Sequence, residues 1–498
     1  MIIEHRSTSL SATEALAREL SLWARPGLAI LLSGDLGAGK SAFARALIRA
    51  LAMDDKEFDV PSPSFSLVQT YEALRVPVAH VDLYRVQSPA EVAELGLEEF
   101  IEKYLLIIEW PEKLDKTISP DCLEISLSGS GEIRNIKFFA TGKWIEILNR
   151  NKTISGFVDQ SGMHGGTRYF FEGDASSRRY ERIATKTSEM LLMDMPCRPD
   201  GPVVRNGKSY STIAHLAEGI GAVVGINDYL SKLDYSVSKI YDVEVKNGLA
   251  FIEPLGKKVF GRMIARGDDM REPMKVAVEI LTDMAKRDWP SKVPVRGSSD
   301  HNIAAYDLDA MMIEVDLLPS WFWPLHKKSD PSEEIRSEFS NIWQAILPEV
   351  RPDRPVWTLR DYHSPNLLWM PEREGLRRVG IIDTQDCVMG HSAYDLVSML
   401  QDARVDIDFQ RADELYDCYC GLRASTGQFD AREFSRAFAI LGAQRATKIL
   451  GIFARLSLRD GKHVYLNHIP RVSRYLKRNL AHPDLAVLKK WYDRNLPL

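Results

Sequence analysis

No cysteine pair in this 498-residue chain has the CxxC spacing of a zinc site or redox centre; Cys122, Cys197, Cys387, Cys418 and Cys420 are scattered and odd in number. Reduced, structural thiols are expected. Long apolar runs are missing too, and the opening MIIEHRSTSL has neither the basic start nor the apolar stretch of a secretory signal. A cytoplasmic protein without bilayer spans is expected. Excess positive charge is also lacking: 64 Lys and Arg stand against 69 Asp and Glu, a formal net charge of -5. That balance argues against a broad basic surface for nucleic acid, so any RNA connection would be indirect. With no low-complexity tract and a 45% apolar, 27% charged composition, most of the chain should be folded. Its length exceeds one ordinary hydrophobic core and favours two or three domains.

From Leu28 to Ala52 the pattern is apolar strand (LAILLS), glycine-rich turn (GDLGAGKS) and helix (AFARALIRALA), the opening of a βα unit. VAHVDLY and YLLIIEW read as further buried strands of the same parallel sheet, and LEISLSG and IRNIKFFA as antiparallel strands closing an α/β domain. A polar stretch, NRNKTISGFVDQSGMHGG, then suggests a boundary near residue 151, giving domains 1–150 and 151–498. Beyond it TRYFFEG, RYERIAT, EMLLMDM and GLAFIEPLG read as a small strand-rich lobe, followed by helical patterns from about Ala277 to the end. Strands followed by helices predict an α+β two-lobed domain.

Gly34-Asp-Leu-Gly37-Ala-Gly39-Lys40-Ser41 fits GxxxxGK[ST] between a predicted strand and a predicted helix, the context the motif requires. Glycines let the backbone turn around a triphosphate, and the amides and helix N-terminus supply positive potential. Lys40 neutralises the β and γ phosphates, and Ser41 can ligate Mg2+. Phosphoryl transfer further calls for acids near the metal, and Asp82 and Glu109 end predicted strands. Spacing alone leaves each of them equally readable as a cap or surface charge.

GDLGAGKS, VPSPSFSLVQTY, HVDLYR, LGLEE and LLIIEWPEKL, in that order, resemble the TsaE family, bacterial ATPases of threonylcarbamoyladenosine (t6A) synthesis in tRNA. The likeness covers about residues 10 to 150. It implies an ATP-hydrolysing P-loop domain whose partners are the threonylcarbamoyl-transfer proteins. Ser41 and Glu109 would contact Mg2+, Asp82 would act near the γ-phosphate, and Ser62 and Ser64 would lie in a switch-like loop. Trp110 would border the nucleotide. Ser41 and Ser64 stand where Thr is common, and each keeps a hydroxyl.

In the second half, Leu359-Arg-Asp361-Tyr-His-Ser-Pro-Asn366 resembles a kinase catalytic loop, with an Asp to accept a hydroxyl proton and an Asn five residues later to bind metal. Seventeen residues on, the strand-like Val-Gly-Ile-Ile delivers Asp383. Asp361, Asn366 and Asp383 form the minimal set for in-line transfer from ATP. Taken singly, each segment also reads as an ordinary loop with turn-forming Ser, Pro and Asn.

GDASSRRY, LLMDMP, IEPLG, LRDYHSPNLLW, IIDTQDCVMGHSAYDLVSMLQDAR and LGAQRATKILGIFARLSLRDGKHVYL together look like the AmgK branch of the aminoglycoside phosphotransferase family. That branch phosphorylates the anomeric hydroxyl of N-acetylmuramate and N-acetylglucosamine in cell-wall recycling. The resemblance spans about residues 165 to 495. It implies Asp361 as base, Asn366 and Asp383 on Mg2+, Asp174 and Ser176 in a phosphate-facing turn, and Glu253 in the hinge facing adenine. Three positions depart: Leu359 replaces the usual His, Ser177 an aromatic, and Pro254 interrupts the hinge acid. Lys186 is a candidate for the small-lobe lysine and equally a solvated turn residue.

The stretch Phe434 to Leu458 interleaves apolar residues with Arg445, Lys448 and Arg455, mostly as helix packing with a solvated face. A further reading lets Arg445 or Lys448 reach an acidic substrate group. Other expectations stay open: a choline-, homoserine- or aminoglycoside-type kinase in the second half, and a nucleotide-dependent assembly module in the first. A GTPase is disfavoured, because no NKxD guanine motif is found.

Overall fold

The computed structural model describes residues 1–52, 58–114, 118–129, 131–171, 178–197, 200–425 and 429–497. Asp174, Ser176 and Ser177 lie outside the described residues. Two compact units form: Met1–Asp174 with Tyr180–Glu189, and Ala175–Arg179 with Met190–Leu498.

The first unit is α/β. Its strands are β1 (Ile2–Ser7), β2 (Ala29–Ser33), β3 (Val68–Tyr71), β4 (Val78–Asp82), β5 (Leu105–Glu109), β6 (Cys122–Ser128) and β7 (Arg134–Ala140), in sheet order β1-β7-β6-β2-β5-β4-β3. β6, β2, β5 and β4 run parallel; β7 pairs antiparallel with both β6 and the edge strand β1, and β3 pairs antiparallel with β4 at the other edge. Every residue of β4 and β5 is buried, which is why both read as near-continuous apolar runs. Between Leu10–Ser21 (α1) and Lys40–Leu51 (α2), α2 follows directly on the glycine-rich turn and buries Phe43, Ala44, Leu47, Ile48 and Leu51 on one face. The polar stretch expected as a linker is instead helical: Lys143–Gln160 is one helix with Trp144, Ile147, Leu148, Ile154, Phe157 and Val158 buried. Lys143, Asn149 and Lys152 are exposed while Asn151 and Ser155 bond Glu19 and Arg168, and these interleaved polar residues mask the apolar stripe. β8 (Thr167–Phe171) and β9 (Arg179–Ala184) then pair as a hairpin, and buried Arg168 donates to both carboxylate oxygens of Glu181 at 2.6 and 2.9 Å.

The second unit is α+β. Glu189–Asp194 and Ile240–Glu244 flank Leu249–Ile252 as antiparallel strands. Helices dominate after residue 271, as expected, but four three-residue strands interrupt them. Val356–Thr358 pairs with Val388–Gly390, and Leu367–Trp369 with Val379–Ile381. Three residues are too few for alternation to show in sequence, yet these strands aim the loops that carry Asp361, Asn366 and Asp383. Among the described residues one helix, Ala431–Leu458, is long and apolar enough to cross a bilayer, and 83% of its apolar window is buried inside the protein.

Candidate active sites

In the first unit, Gly34 opens the phosphate-type loop at φ 135°, and a Cβ there would sit 2.2 Å from the Leu127 carbonyl oxygen on β6. Only glycine fits that approach. Gly37 and Gly39 also have positive φ, and Gly39 caps α2 in the left-handed region. The Lys40 amine donates to the Gly34 and Asp35 carbonyls at 2.6 and 2.9 Å and lies 3.5 Å above the Trp110 ring. Burial lowers its proton affinity, while Glu109, Glu112, Asp82 and Asp35 pull the other way. Held only by neutral carbonyl acceptors, the amine keeps its charge available for a phosphate.

Parallel pairing sets Asp82 on β4 beside Glu109 on β5. Glu109 accepts from the Ser41 hydroxyl at 2.7 Å, and Asp82 accepts from Ser62 and Ser64 at 3.1 and 2.6 Å. The structure therefore joins Lys40, Ser41, Asp82, Glu109, Trp110 and the Ser62–Ser64 loop in one site. Trp110 holds a left-handed φ of 62°, and its ring packs 5.0 Å from that of Tyr84. A residue that sequence reasoning passed over supports this arrangement. His80, 1% exposed on β4, lies with Nε2 2.9 Å from the second Glu109 oxygen. A carboxylate only accepts, so Nε2 carries the proton and donates. His80 stood inside HVDLYR, but nothing in one dimension shows that alternate residues of β4 and β5 face each other.

In the second unit, Asp361, Asn366 and Asp383 come together at the ends of the short strands. Asn366 Nδ2 donates to the Asp361 carbonyl at 3.0 Å, leaving its Oδ1 as the acceptor atom. Arg360 and Asp383 both hold φ of 67°, a left-handed strain concentrated where the chemistry sits. Two buried acids clamp the loop. Asp395 accepts from the Leu359 and Arg360 amides at 2.7 and 2.9 Å, and burial lifts its carboxyl to about 7 against those donors. Asp402 accepts from the Ser364 and Arg404 amides, each at 2.7 Å. Both lie in IIDTQDCVMGHSAYDLVSMLQDAR, a segment whose resemblance gave neither acid a role; an acid inside its apolar helix is the one-dimensional signal that could have found Asp395.

Burial raises the Asp383 proton affinity, with Asp361 and Asp386 adding to the rise and Arg178 opposing it. Arg178 ion-pairs with Asp383 and donates to Gln385 at 2.7 Å. Among the described residues Arg178 is thus a cation that reaches Asp383; Lys186 is exposed on the turn after β9. Burial also pushes the Asp361 proton affinity up, but His363, Lys448, Arg445 and Arg360 together bring it below the usual carboxylate range. The Leu359 side chain, where a His was expected, is 1% exposed in the core. Glu253 turns its carboxylate to Arg373 at 2.7 Å and lines, with Lys239, Ser236 and Arg377, a polar cavity of about 740 Å³ that does not include Asp361 or Asp383.

Among the described residues no three His, Cys, Asp or Glu side chains cluster as a metal site. The donor sets are mixed instead: a serine hydroxyl with Glu109 in one unit, an asparagine oxygen with Asp383 in the other. Hard oxygen donors and mutually repelling carboxylates fit a Mg2+-phosphate ligand, which keeps few protein contacts.

Residues 7–136 match the family described as threonylcarbamoyl adenosine biosynthesis protein TsaE, and residues 169–427 match the phosphotransferase enzyme family. An N-acetylmuramate/N-acetylglucosamine kinase of Caulobacter vibrioides is 34% identical, over 70% of this chain and 97% of the relative. A kinase of the same description from Pseudomonas aeruginosa is 27% identical, over 63% of this chain and 84% of its own. A TsaE protein of Rickettsia conorii is 39% identical over 123 residues, 25% of this chain and 69% of the relative. The chain is therefore a fusion that belongs to two families, the TsaE family through its N-terminal P-loop unit and the phosphotransferase enzyme family through its C-terminal, protein-kinase-like α+β unit.

Proposed function

We propose a bifunctional enzyme of the bacterial cytoplasm that uses ATP and Mg2+ in both halves. The C-terminal half transfers the γ-phosphoryl group to the anomeric hydroxyl of N-acetylmuramate and N-acetylglucosamine, a step of peptidoglycan recycling. The observation that carries this reading is the convergence of Asp361, Asn366 and Asp383 in a chain that matches nearly the full length of a kinase for those sugars. Asp361 takes the hydroxyl proton. Asn366 and Asp383 would hold Mg2+, whose charge would offset that of the phosphate oxygens when bound. Arg178 orients Asp383, and the segment around Glu253 would face adenine. The anomeric hydroxyl is more acidic than an ordinary sugar alcohol, so a carboxylate of low proton affinity suffices as base. Incubating the protein with ATP and each sugar should yield the sugar 1-phosphate. A folded, ATP-binding protein that makes neither product would contradict the reading.

The N-terminal half hydrolyses ATP in support of t6A synthesis, with the threonylcarbamoyl-transfer proteins as partners. Gly34, Gly37, Gly39 and Lys40 cradle the phosphates, Trp110 borders the nucleotide, Ser41 and Glu109 would hold Mg2+, and Asp82 acts near the γ-phosphate. His80 fixes the Glu109 carboxylate by the 2.9 Å bond, so its loss should let Glu109 turn from Ser41. His80→Ala is expected to raise the Mg2+ concentration that supports tight binding of a fluorescent ADP analogue by about tenfold, the scale typical of a group that orients a metal ligand. His80→Gln, whose amide can still donate, should recover most of the loss. Equal Mg2+ dependence in wild type and the Ala variant would remove His80 from this role.

A further inference from the structure

Arg178, Arg360, Lys448 and Arg445 stand near the Asp361 loop, and the first three are paired. Arg178 bonds Asp383 and Gln385. Arg360 bonds Glu314 and donates to the Ala214 carbonyl at 2.8 Å. Lys448 lies 2.8 Å from the same Glu314 carboxylate and 3.4 Å from the Tyr394 hydroxyl. The fourth is Arg445, one helical turn before Lys448 on Ala431–Leu458 and only 5% exposed. It forms no hydrogen bond or ion pair with any described residue. One turn on, Lys448 reaches Glu314, the partner of Arg360, and Tyr394, the neighbour of the Asp395 that holds the Leu359 and Arg360 amides, so this helix face is turned toward the Asp361 loop, where Arg445 adds positive charge near Asp361.

The Arg445 stem is buried, but none of its nitrogens is among the sealed polar atoms that lack a partner, so the guanidinium opens toward solvent and is available to a ligand. The neighbouring carboxylates do not meet its need. Asp395 is occupied by the Leu359 and Arg360 amides, and Asp402 by those of Ser364 and Arg404. The Asp361 side chain is 42% exposed and opens toward solvent. What Arg445 lacks is an anion with two oxygens in a plane, the group its fork of donors matches best.

We infer that Arg445 is the receptor for the carboxylate of an acidic sugar substrate, and that it sets the preference between the two sugars of the proposed reaction. This inference rests on the kinase reading of the C-terminal unit. N-Acetylmuramate carries a carboxylate on its lactyl ether; N-acetylglucosamine has a hydroxyl there. Lys448, the other basic side chain of the same helix face, is excluded from this part because Glu314 holds it. The sequence offered both residues equally; the structure separates them.

The test compares kcat/KM for the two sugars in the full-length wild type, Arg445→Gln and Arg445→Lys. In the Gln variant the ratio of muramate to glucosamine efficiency should fall tenfold to a hundredfold, mainly through KM for muramate, as expected for one lost charge-assisted fork. The Lys variant keeps the charge without the planar fork and should give a smaller fall in the same direction. It also keeps the test alive if the Gln variant melts early. A loss common to both sugars, with the ratio unchanged, overturns the inference and makes Arg445 a counter-charge for Asp361 or the phosphates. Should the wild type phosphorylate neither sugar, the kinase reading and this inference fail together, whereas a wild type active on glucosamine with an unaltered ratio in both variants sinks the inference alone.

Discussion

Asp361→Asn is expected to lower the rate of sugar 1-phosphate formation by about 10²- to 10⁴-fold, the range spanned by a positioned general base, with little change in ATP affinity. The amide has the shape of the carboxylate and can still sit 3.8 Å from His363 Nε2, so folding should survive. What it cannot do is accept a proton. Desolvation alone would favour the protonated acid, but the positive charge of Lys448, Arg445 and Arg360, joined by His363 when that ring is protonated, outweighs it and holds the carboxyl below its ordinary value. The 42% exposure of the side chain means that this charge is presented to an incoming hydroxyl rather than sealed in the core. Coupled detection of ADP, with thermal melting as the control for folding, measures the effect. A loss below about fivefold would show that another group takes the proton.

Glu314→Ala should produce the largest loss of stability. Glu314 is 0% exposed and accepts from four donors: Arg360, Tyr306, Gln444 at 2.9 Å and Lys448 at 2.8 Å. Removing it strands two buried cations, which costs about 3–5 kcal/mol when one side of a buried pair is deleted, or roughly 10 °C in melting temperature for a domain of this size. Burial works against the charged carboxylate, yet Lys448 and Arg360 more than offset it and bring its value from 4.5 down to about 2. A folded-state value below the unfolded one means that the stabilisation is complete above the unfolded value near 4.5 and drains away as pH falls toward about 2. Melting curves from pH 7 to pH 3 should therefore show a steeper acid decline in wild type than in the variant. Identical melting temperatures at pH 7 would refute the assignment. Activity should fall with stability, since Arg360 immediately precedes Asp361 and its side chain anchors that turn.

The motifs that bear the chemistry were legible because their parts are close in sequence. GDLGAGKS lies between β2 and α2 as its context required, and LRDYHSPN and IIDTQD bring their acids to one place. The near-continuous apolar runs of β4 and β5 announced buried parallel strands for the same reason, each carrying its own local pattern. The helix Lys143–Gln160 was misread as a linker because Asn, Lys, Ser and Gly dilute its apolar stripe. The three-residue strands that aim the catalytic loop were too short for any periodicity to reveal.

Contiguous residues thus determined by themselves the glycine-rich loop before α2, the Asp361 loop, and the order of an α/β unit before an α+β one. The tertiary structure alone decided which groups hold the site acids in place. His80 meets Glu109 across 29 positions, and Arg360 meets Glu314 across 46. It also decided that Lys448 is neutralised by a carboxylate 134 positions away while Arg445 is not. Burial and pairing at such separations are settled by packing, which no local pattern of charge or hydropathy encodes.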